Sequence, residues 1–326
     1  MKIFLNNKIK GEINMAANVE TIFSTREVPW HGLGRIVSEA PASKEALELA
    51  GLDWEVIQKD IITVDGYNII PGFKANVRST DDKVLGIVTD RYKVVQNKEA
   101  FEFTDLLLGE GVKYETAGSL QGGRRVWMLA RLPYQYVINS EEITPYMVFT
   151  NSHDGSGAIR VAITPVRVVC SNTLNLALST AKRCWSCNHV GDINGKLEDA
   201  RNTLLYAGKY MSELGKGIDE LNRIKLNDAK VLAFINELIP EAENASLQQK
   251  RNILKLRDDM KARYFEAPDL RDLDKNAYRF VNAVSDFATH AKPLRERANY
   301  RDNLFAKTID GHPMIDKAYQ MTLAAA

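Results

Sequence analysis

Three cysteines in 326 residues, an odd count without framework spacing, exclude a disulfide-stapled scaffold and fit reduced thiols in the cytoplasm. No apolar run approaches the roughly 18 residues that span a bilayer, and the first residues lack the basic, apolar and small-residue regions of a signal peptide. No membrane partner is therefore expected. Charge of one sign is also missing: 43 Lys and Arg stand against 42 Asp and Glu, a formal net charge of +1. Any attraction to nucleic acid must come from a local patch. The chain has no Walker-type phosphate loop, no G-x-S-x-G elbow and no H-E-x-x-H pair.

What is present centres on Met147 to Leu178, MVFTNSHDGSGAIRVAITPVRVVCSNTLNLAL. Asp154-Gly155 between two apolar runs is a strong hairpin signal, because Gly tolerates φ > 0 and the turn twist matches the strands. Alternation along Ile159, Val161 and Ile163 puts Arg160 on the other face, and Pro165 implies an edge or a bulge. Ser171-Asn172-Thr173 then reads as an abrupt helix start, where Asn172 and Thr173 hold the corner or bind an anion at exposed backbone N–H groups.

Residues 21 to 36, with Pro29, Gly32 and Gly34 around Trp30 and His31, have no clean period and read as an ordered loop or arm. Strands are expected at Trp54 to Thr63, Gly72 to Ser79, Val84 to Thr89, Lys113 to Ser119 and Arg124 to Leu132. Helices are expected at Ser43 to Ala50 and from Asn97 to Gly109. Strands and helices are grouped rather than alternating, so the expected class is α+β: an N-terminal, mostly antiparallel sheet domain with few helices, followed by a C-terminal helical region.

From Lys196 the pattern is helical. Leu197, Ala200, Leu204, Ala207, Met211, Leu214, Ile218 and Leu221 form an a/d seam that needs a partner, either a later helix of this chain or the same helix of another subunit. Helices follow at Asp228 to Leu238, Leu247 to Phe265 behind a Ser246/Gln249 capping box, and Leu273 to Ala291. The expected division is a disordered or non-native extension over residues 1–20, an α+β domain over 21–192 and a helical region over 193–326. Lys10-Gly11-Glu12 is what a ribosome-binding sequence would encode ahead of Met15, which points to Met15 as the natural start.

Cys184 and Cys187, in C-x2-C spacing, with His189 and Cys170 are soft ligands of zinc type, although Cys170 stands alone. The simpler reading is a pair of thiols at a helix end. His31, His153, Asp154 and His189 form a candidate metal set for a hydrolase or nuclease, but no spacing forces them together. Basic residues on or beside the strands give the other reading. Arg125, Trp127, Arg160, Arg167 and Arg183 are candidates for a groove in which phosphates supply affinity and an aromatic side chain stacks on bases. Alternation sets Arg124 on the face opposite Arg125.

Several motifs together, WHGLG at Trp30 to Gly34, NSHDGSGA at Asn151 to Ala158, PVRVVCSNTL at Pro165 to Leu174, His189 before the long helix and NAVSDFATH at Asn282 to His290, resemble the phage/plasmid-like proteins of domain-of-unknown-function family 932. The last block departs by lacking a preceding Trp and by having Phe287 and Ala288 where an aromatic residue and Asp are usual. The resemblance implies a mobile-element setting, carries no activity, and leaves Cys184 and Cys187 outside the shared pattern. By analogy with phage annealing proteins, the expected function is non-enzymatic binding, extending to annealing, of single-stranded DNA by a cytoplasmic homo-oligomer in a bacterial host. No cofactor is expected. The rivals are a hydrolase using a divalent metal at the His/Asp set, and a protein that neutralises a host defence protein.

Overall fold

The computed structural model describes residues 19–25, 35–109, 112–132, 136–138, 141–167, 184–193, 195–196, 199–200, 207–291 and 312–325. Its elements in chain order are β1 (Val19–Thr25), β2 (Arg35–Val37), α1 (Ser43–Leu49), β3 (Val56–Ile62), β4 (Ile69–Arg78), β5 (Val84–Thr89), α2 (Asn97–Leu108), β6 (Lys113–Leu120), β7 (Arg125–Arg131), β8 (Tyr136–Ile138), β9 (Glu141–Ser152), β10 (Ile159–Arg167) and β11 (Cys184–Cys187). Helices follow: α3 (Ala207–Arg223), α4 (Asp228–Leu238), α5 (Leu247–Glu266), α6 (Ala277–His290) and α7 (Pro313–Leu323). The class is α+β with a helical C-terminal part, as the grouping of strands and helices implies.

The strands divide into two sheets. One has eight strands in the order β11-β10-β9-β7-β6-β1-β2, with β8 also pairing β9, and the other has three in the order β3-β4-β5. All pairs are antiparallel except β1 with β2. The loop expected over residues 21–36 is therefore corrected in part, because Thr21–Thr25 belong to a strand between β6 and β2. Ile22 and Phe23 point to opposite faces and are both buried, so the segment is covered on both sides and shows no alternation in its sequence. Glu20, placed in the expected N-terminal extension, makes a bidentate ion pair with Arg78 and so ties β1 to the small sheet.

Pro165 lies opposite Pro145 in the β9–β10 ladder, while β11 pairs only Ile159 to Ala162. The proline thus occupies a stretch of β10 beyond the reach of β11, where its missing N–H breaks no ladder bond. Gly155, at φ +76°, makes the turn between β9 and β10.

One face of the large sheet, with Phe23, Ala117, Val126, Met128, Phe149 and Val161, belongs to a core that also takes in α1, α2 and the buried stripes of the C-terminal helices. Met211, Leu214, Ile218 and Leu221 of α3 are buried in it, and α3 packs on α6. The described part of the a/d seam is thus filled within the chain, while Leu197 and Leu204 lie outside the described residues. Helix α5 opens with the capping box Ser246/Gln249, and α6 starts at Ala277 behind the Asn276 cap rather than at Leu273. Helix α7, not anticipated from the pattern, packs against α6.

Candidate functional site

The β9–β10 turn sits where the small sheet meets the large one. Gly86 of β5 approaches so closely that a Cβ there would lie 2.5 Å from the Asp154 Cα. A Cβ on Gly155 would lie 3.1 Å from Val88. Asn76 of β4 donates to the His153 carbonyl at 2.7 Å, and Gln58 of β3 donates to Asn76 Oδ1 at 3.2 Å and to the Tyr92 carbonyl at 3.3 Å. The Tyr92 hydroxyl donates to the Ser152 carbonyl.

Within the turn, Asp154 Oδ1 accepts from the Ser152 hydroxyl at 2.6 Å and from the Ser156 N–H at 2.9 Å. Burial pushes the Asp154 carboxyl upward, but these hydrogen bonds and the Arg125 charge together hold it below its ordinary value. Arg125 donates to the Ser156 hydroxyl at 3.2 Å. The carboxylate is thereby occupied in shaping its own turn, as short polar side chains in turns commonly are.

His153 is fully buried, bonded through Nε2 to Asn97 Oδ1 at 3.0 Å, with its ring edge-on to Trp54 at 5.4 Å. Burial above all, with the neighbouring His189 adding to it, pushes its pKa down to about 3. His189, just after β11, bonds through Nδ1 to the Lys93 carbonyl at 2.9 Å and stacks on Tyr92 at 4.4 Å. Burial lowers its pKa as well. Of the expected metal set, His153 and Asp154 are neighbours in the turn and His189 acts electrostatically on His153, whereas His31 lies outside the described residues. Among the described residues, no three His, Cys, Asp or Glu side chains converge as a metal cage. The open, multi-ligand centre a metal hydrolase needs is not formed by them.

Cys184 and Cys187 fare differently. They stand in strand β11, opposite Ala162 and Ile159 of β10, rather than at a helix end. Three positions apart in a strand they fall on opposite faces, about 10 Å apart along the chain, so they neither pair nor share an ion. No disulfide joins them.

The basic residues are sorted by register. Directly opposed residues share a face, so Ser186, Arg160, Thr150, Trp127, Gly118 and Ile22 make one row across β11, β10, β9, β7, β6 and β1. Flanking rows on the same face hold Ser152, Arg125 and Leu120; Cys184, Ala162, Val148, Leu129, Thr116 and Ser24; and Thr164, Tyr146, Arg131 and Lys113. These four rows contain Lys113, Arg125, Arg131 and Arg160 and no acidic residue. The face is opposite the main core, as alternation requires, yet Ile22, Leu120, Trp127, Val148, Ser152, Ala162 and Thr164 on it are themselves buried, so that Lys113 is exposed and Arg125, Arg131 and Arg160 are half-buried.

Trp127 corrects the sequence reading. It is only 5 % exposed, and its ring lies so close over Gly118 that a Cβ there would meet it at 2.7 Å. A ring covered in this way has no free face for a base, so the expected stacking role is withdrawn. Arg167 ends β10 opposite Ile143, outside the four rows. Arg183, Asn172 and Thr173 lie outside the described residues. Sequence reasoning missed Asn97 and Tyr92, the groups that fix the two histidines. Polar residues at the start of α2 read as helix-opening chemistry, and nothing local shows that Asn97 turns inward.

A family model described as Domain of unknown function (DUF932) matches residues 84–308, more than half of the chain. The chain belongs to the DUF932 family. The matched DUF932 segment begins with β5 and contains the β9–β10 turn, Tyr92, Asn97 and His189, whereas Trp54, Gln58 and Asn76 precede it. Comparison with curated proteins finds no match, and comparison with solved structures finds none. No described helix of this DUF932 protein is long and apolar enough to cross a membrane.

Proposed function

We propose that the chain binds single-stranded DNA through the accessible side chains of Lys113, Arg125, Arg131 and Arg160 on the side of the large sheet away from the main core. The observation that carries this reading is the set of four rows with four cations and no carboxylate. Asp154, beside Ser152 and Arg125, offsets part of the Arg125 charge, so Lys113 and Arg131 carry most of the argument. With Trp127 covered, affinity comes from phosphates rather than from stacking, so sequence preference is weak. Strand annealing in mobile-element DNA metabolism extends this reading, since annealing begins with a bound single strand. The test is charge reversal: Arg131→Glu and Lys113→Glu each weaken binding of a labelled oligonucleotide by about tenfold at low salt, while Lys216→Glu on the helical part does not. Equal affinity in all three variants overturns the proposal.

A second reading, capture of a host protein, is favoured by the small sheet. Its outward face carries Ile87 at 63 % exposure, Val84 at 52 %, Phe73 at 46 % and Ile57 at 44 %, an apolar surface of the kind that marks interaction sites. An isolated complex with a defined host protein that Ile87→Asp abolishes, in a variant that still folds, supports it.

A further inference from the structure

Nine of the sixteen large apolar side chains exposed among the described residues fall between Ile57 and Ile87, on the small sheet and the turn that joins β3 to β4. Exposed apolar residues scattered singly are ordinary, whereas a concentrated set marks an interaction surface. The register sorts this set by face. Asn76, Gly86 and Val88 lie on the side that docks onto the β9–β10 turn. The rows on the other side are Ile57, Val77 and Val84; Lys59, Ala75 and Ile87; and Phe73 and Thr89. That side repeats apolar residues in all three strands, the pattern of a sheet face that packs against another layer. It stands open to solvent, with Ile57, Phe73, Val84 and Ile87 all exposed.

The edges of this sheet are guarded, which leaves the face as the place for a partner. The Gln96 side chain accepts from the Val56 N–H at 2.8 Å and donates to the Val56 carbonyl at 2.9 Å, as a neighbouring strand would. Farther along β3, the charged Lys59 and Asp60 and a register shift before Ile62 blunt the edge, the devices by which proteins prevent strand pairing. At the opposite edge, β5 is held against Asp154 through Gly86.

Charge and area both suit a second copy of the same face. Lys59 is the one charged residue in the three rows, and Asp82 neutralises it at 2.6 Å. A two-fold interface sets each patch against itself, so an unmatched cation would meet its own like. The ion pair leaves the patch neutral. At roughly 100 Å² of apolar surface for each half-exposed side chain, the nine offer about 900 Å² per copy, against the ~800 Å² per partner of a standard interface. The sheet face alone falls short of that area, and Val64, Tyr67 and Ile69 at the end of the β3–β4 hairpin make up the difference.

We propose that two copies of the chain pair through the outer faces of their small sheets, packed face to face as in a β-sandwich. A face filled by its own copy is closed to a host protein, so the dimer and the captured partner of the second reading exclude one another there. DNA plays no part in the pairing.

The test is sedimentation of the full-length protein, free of DNA, over a concentration series. The expected result is a mass rising toward twice 36.6 kDa, with Ile87→Asp and Val84→Asp each raising the dimer dissociation constant by about tenfold or more. Leu254→Asp, at an exposed position of α5, leaves it unchanged. Where a face variant loses its native circular dichroism, hydroxyl-radical labelling of the unaltered protein decides: oxidation of Phe73 and Tyr67 falls over the range in which the mass rises. A monomer at every concentration, a dimer that both folded face variants leave intact, or labelling of Phe73 that stays constant while the mass doubles overturns the proposal. A monomer whose small sheet holds a defined host protein overturns it in favour of the second reading.

Discussion

Trp127 lies across Gly118 on the neighbouring strand, and the absence of a side chain at Gly118 is what makes room for it. A Cβ added there would stand 2.1 Å from the Thr21 carbonyl oxygen and 2.7 Å from the indole. The β1 backbone would have to shift and the indole to move aside. Gly118→Ala is expected to destabilise the chain by about 1–3 kcal/mol in denaturant unfolding, as overpacking does. Because Trp127 is covered, its fluorescence should resist quenching by acrylamide, and Trp127→Leu should lower stability while leaving the salt dependence of oligonucleotide binding unchanged.

The docking of the small sheet depends on Gly86 in a similar way. Its neighbours are backbone atoms of Asp154, which cannot rotate away as a flexible side chain could. Gly86→Ala is expected to cost about 1–3 kcal/mol and to raise amide exchange in β3, β4 and β5 ahead of the large sheet. Uniform exchange across both sheets would contradict this account of the junction.

The buried histidines set an acid limit. His153 has a folded pKa of about 3 against 6.5 for the free side chain, so between those values the unfolded chain takes up a proton that the folded chain refuses. Stability is thus full above about pH 6.5 and falls as pH drops toward 3, by up to about 1.4 kcal/mol per pH unit for this group. His189, also lowered, acts in the same direction. Asp154, whose folded pKa is lowered, loses its contribution only below its ordinary value of 3.8. Chemical denaturation at pH 7.5, 6.0 and 4.5 should show the decline, and His153→Gln should flatten it.

Leu214 separates the two partners that the a/d seam allows. It is fully buried, and α3 packs on α6 within the chain. Leu214→Glu is expected to unfold the helical part, read as lost ellipticity and a lowered midpoint. A variant of Leu214→Glu that stays folded and only falls to a smaller mass would place the seam between subunits instead.

Local chemistry made much of this fold legible. The strands at Val84 to Thr89, Lys113 to Ser119 and Arg124 to Leu132 follow from alternation bounded by turn residues, and Asp154-Gly155 reads as a hairpin for the same reason. The α2, α4 and α5 boundaries follow from caps. What escaped depends on partners distant in sequence. Strand β1 is too short to declare itself without β6, and β11 looks like a pair of thiols until β10 lies beside it. Trp127 reads as a stacking platform in sequence, because only the register across β6 reveals that Gly118 lies beneath it. The histidines were visible as residue types, but what orients them emerges only once Asn97 and the Lys93 carbonyl are seen to hold their rings.

The measurement that tests the central claim most directly is binding of a labelled single-stranded oligonucleotide to the purified protein across a salt series, beside the same sequence as a duplex. The account predicts binding of the single strand with a linear fall of log affinity with log salt, with a slope near that of about three to four phosphate contacts that becomes shallower by about one contact in Arg131→Glu. No binding at low salt, or binding whose salt slope is the same with Arg131 reversed, would contradict it.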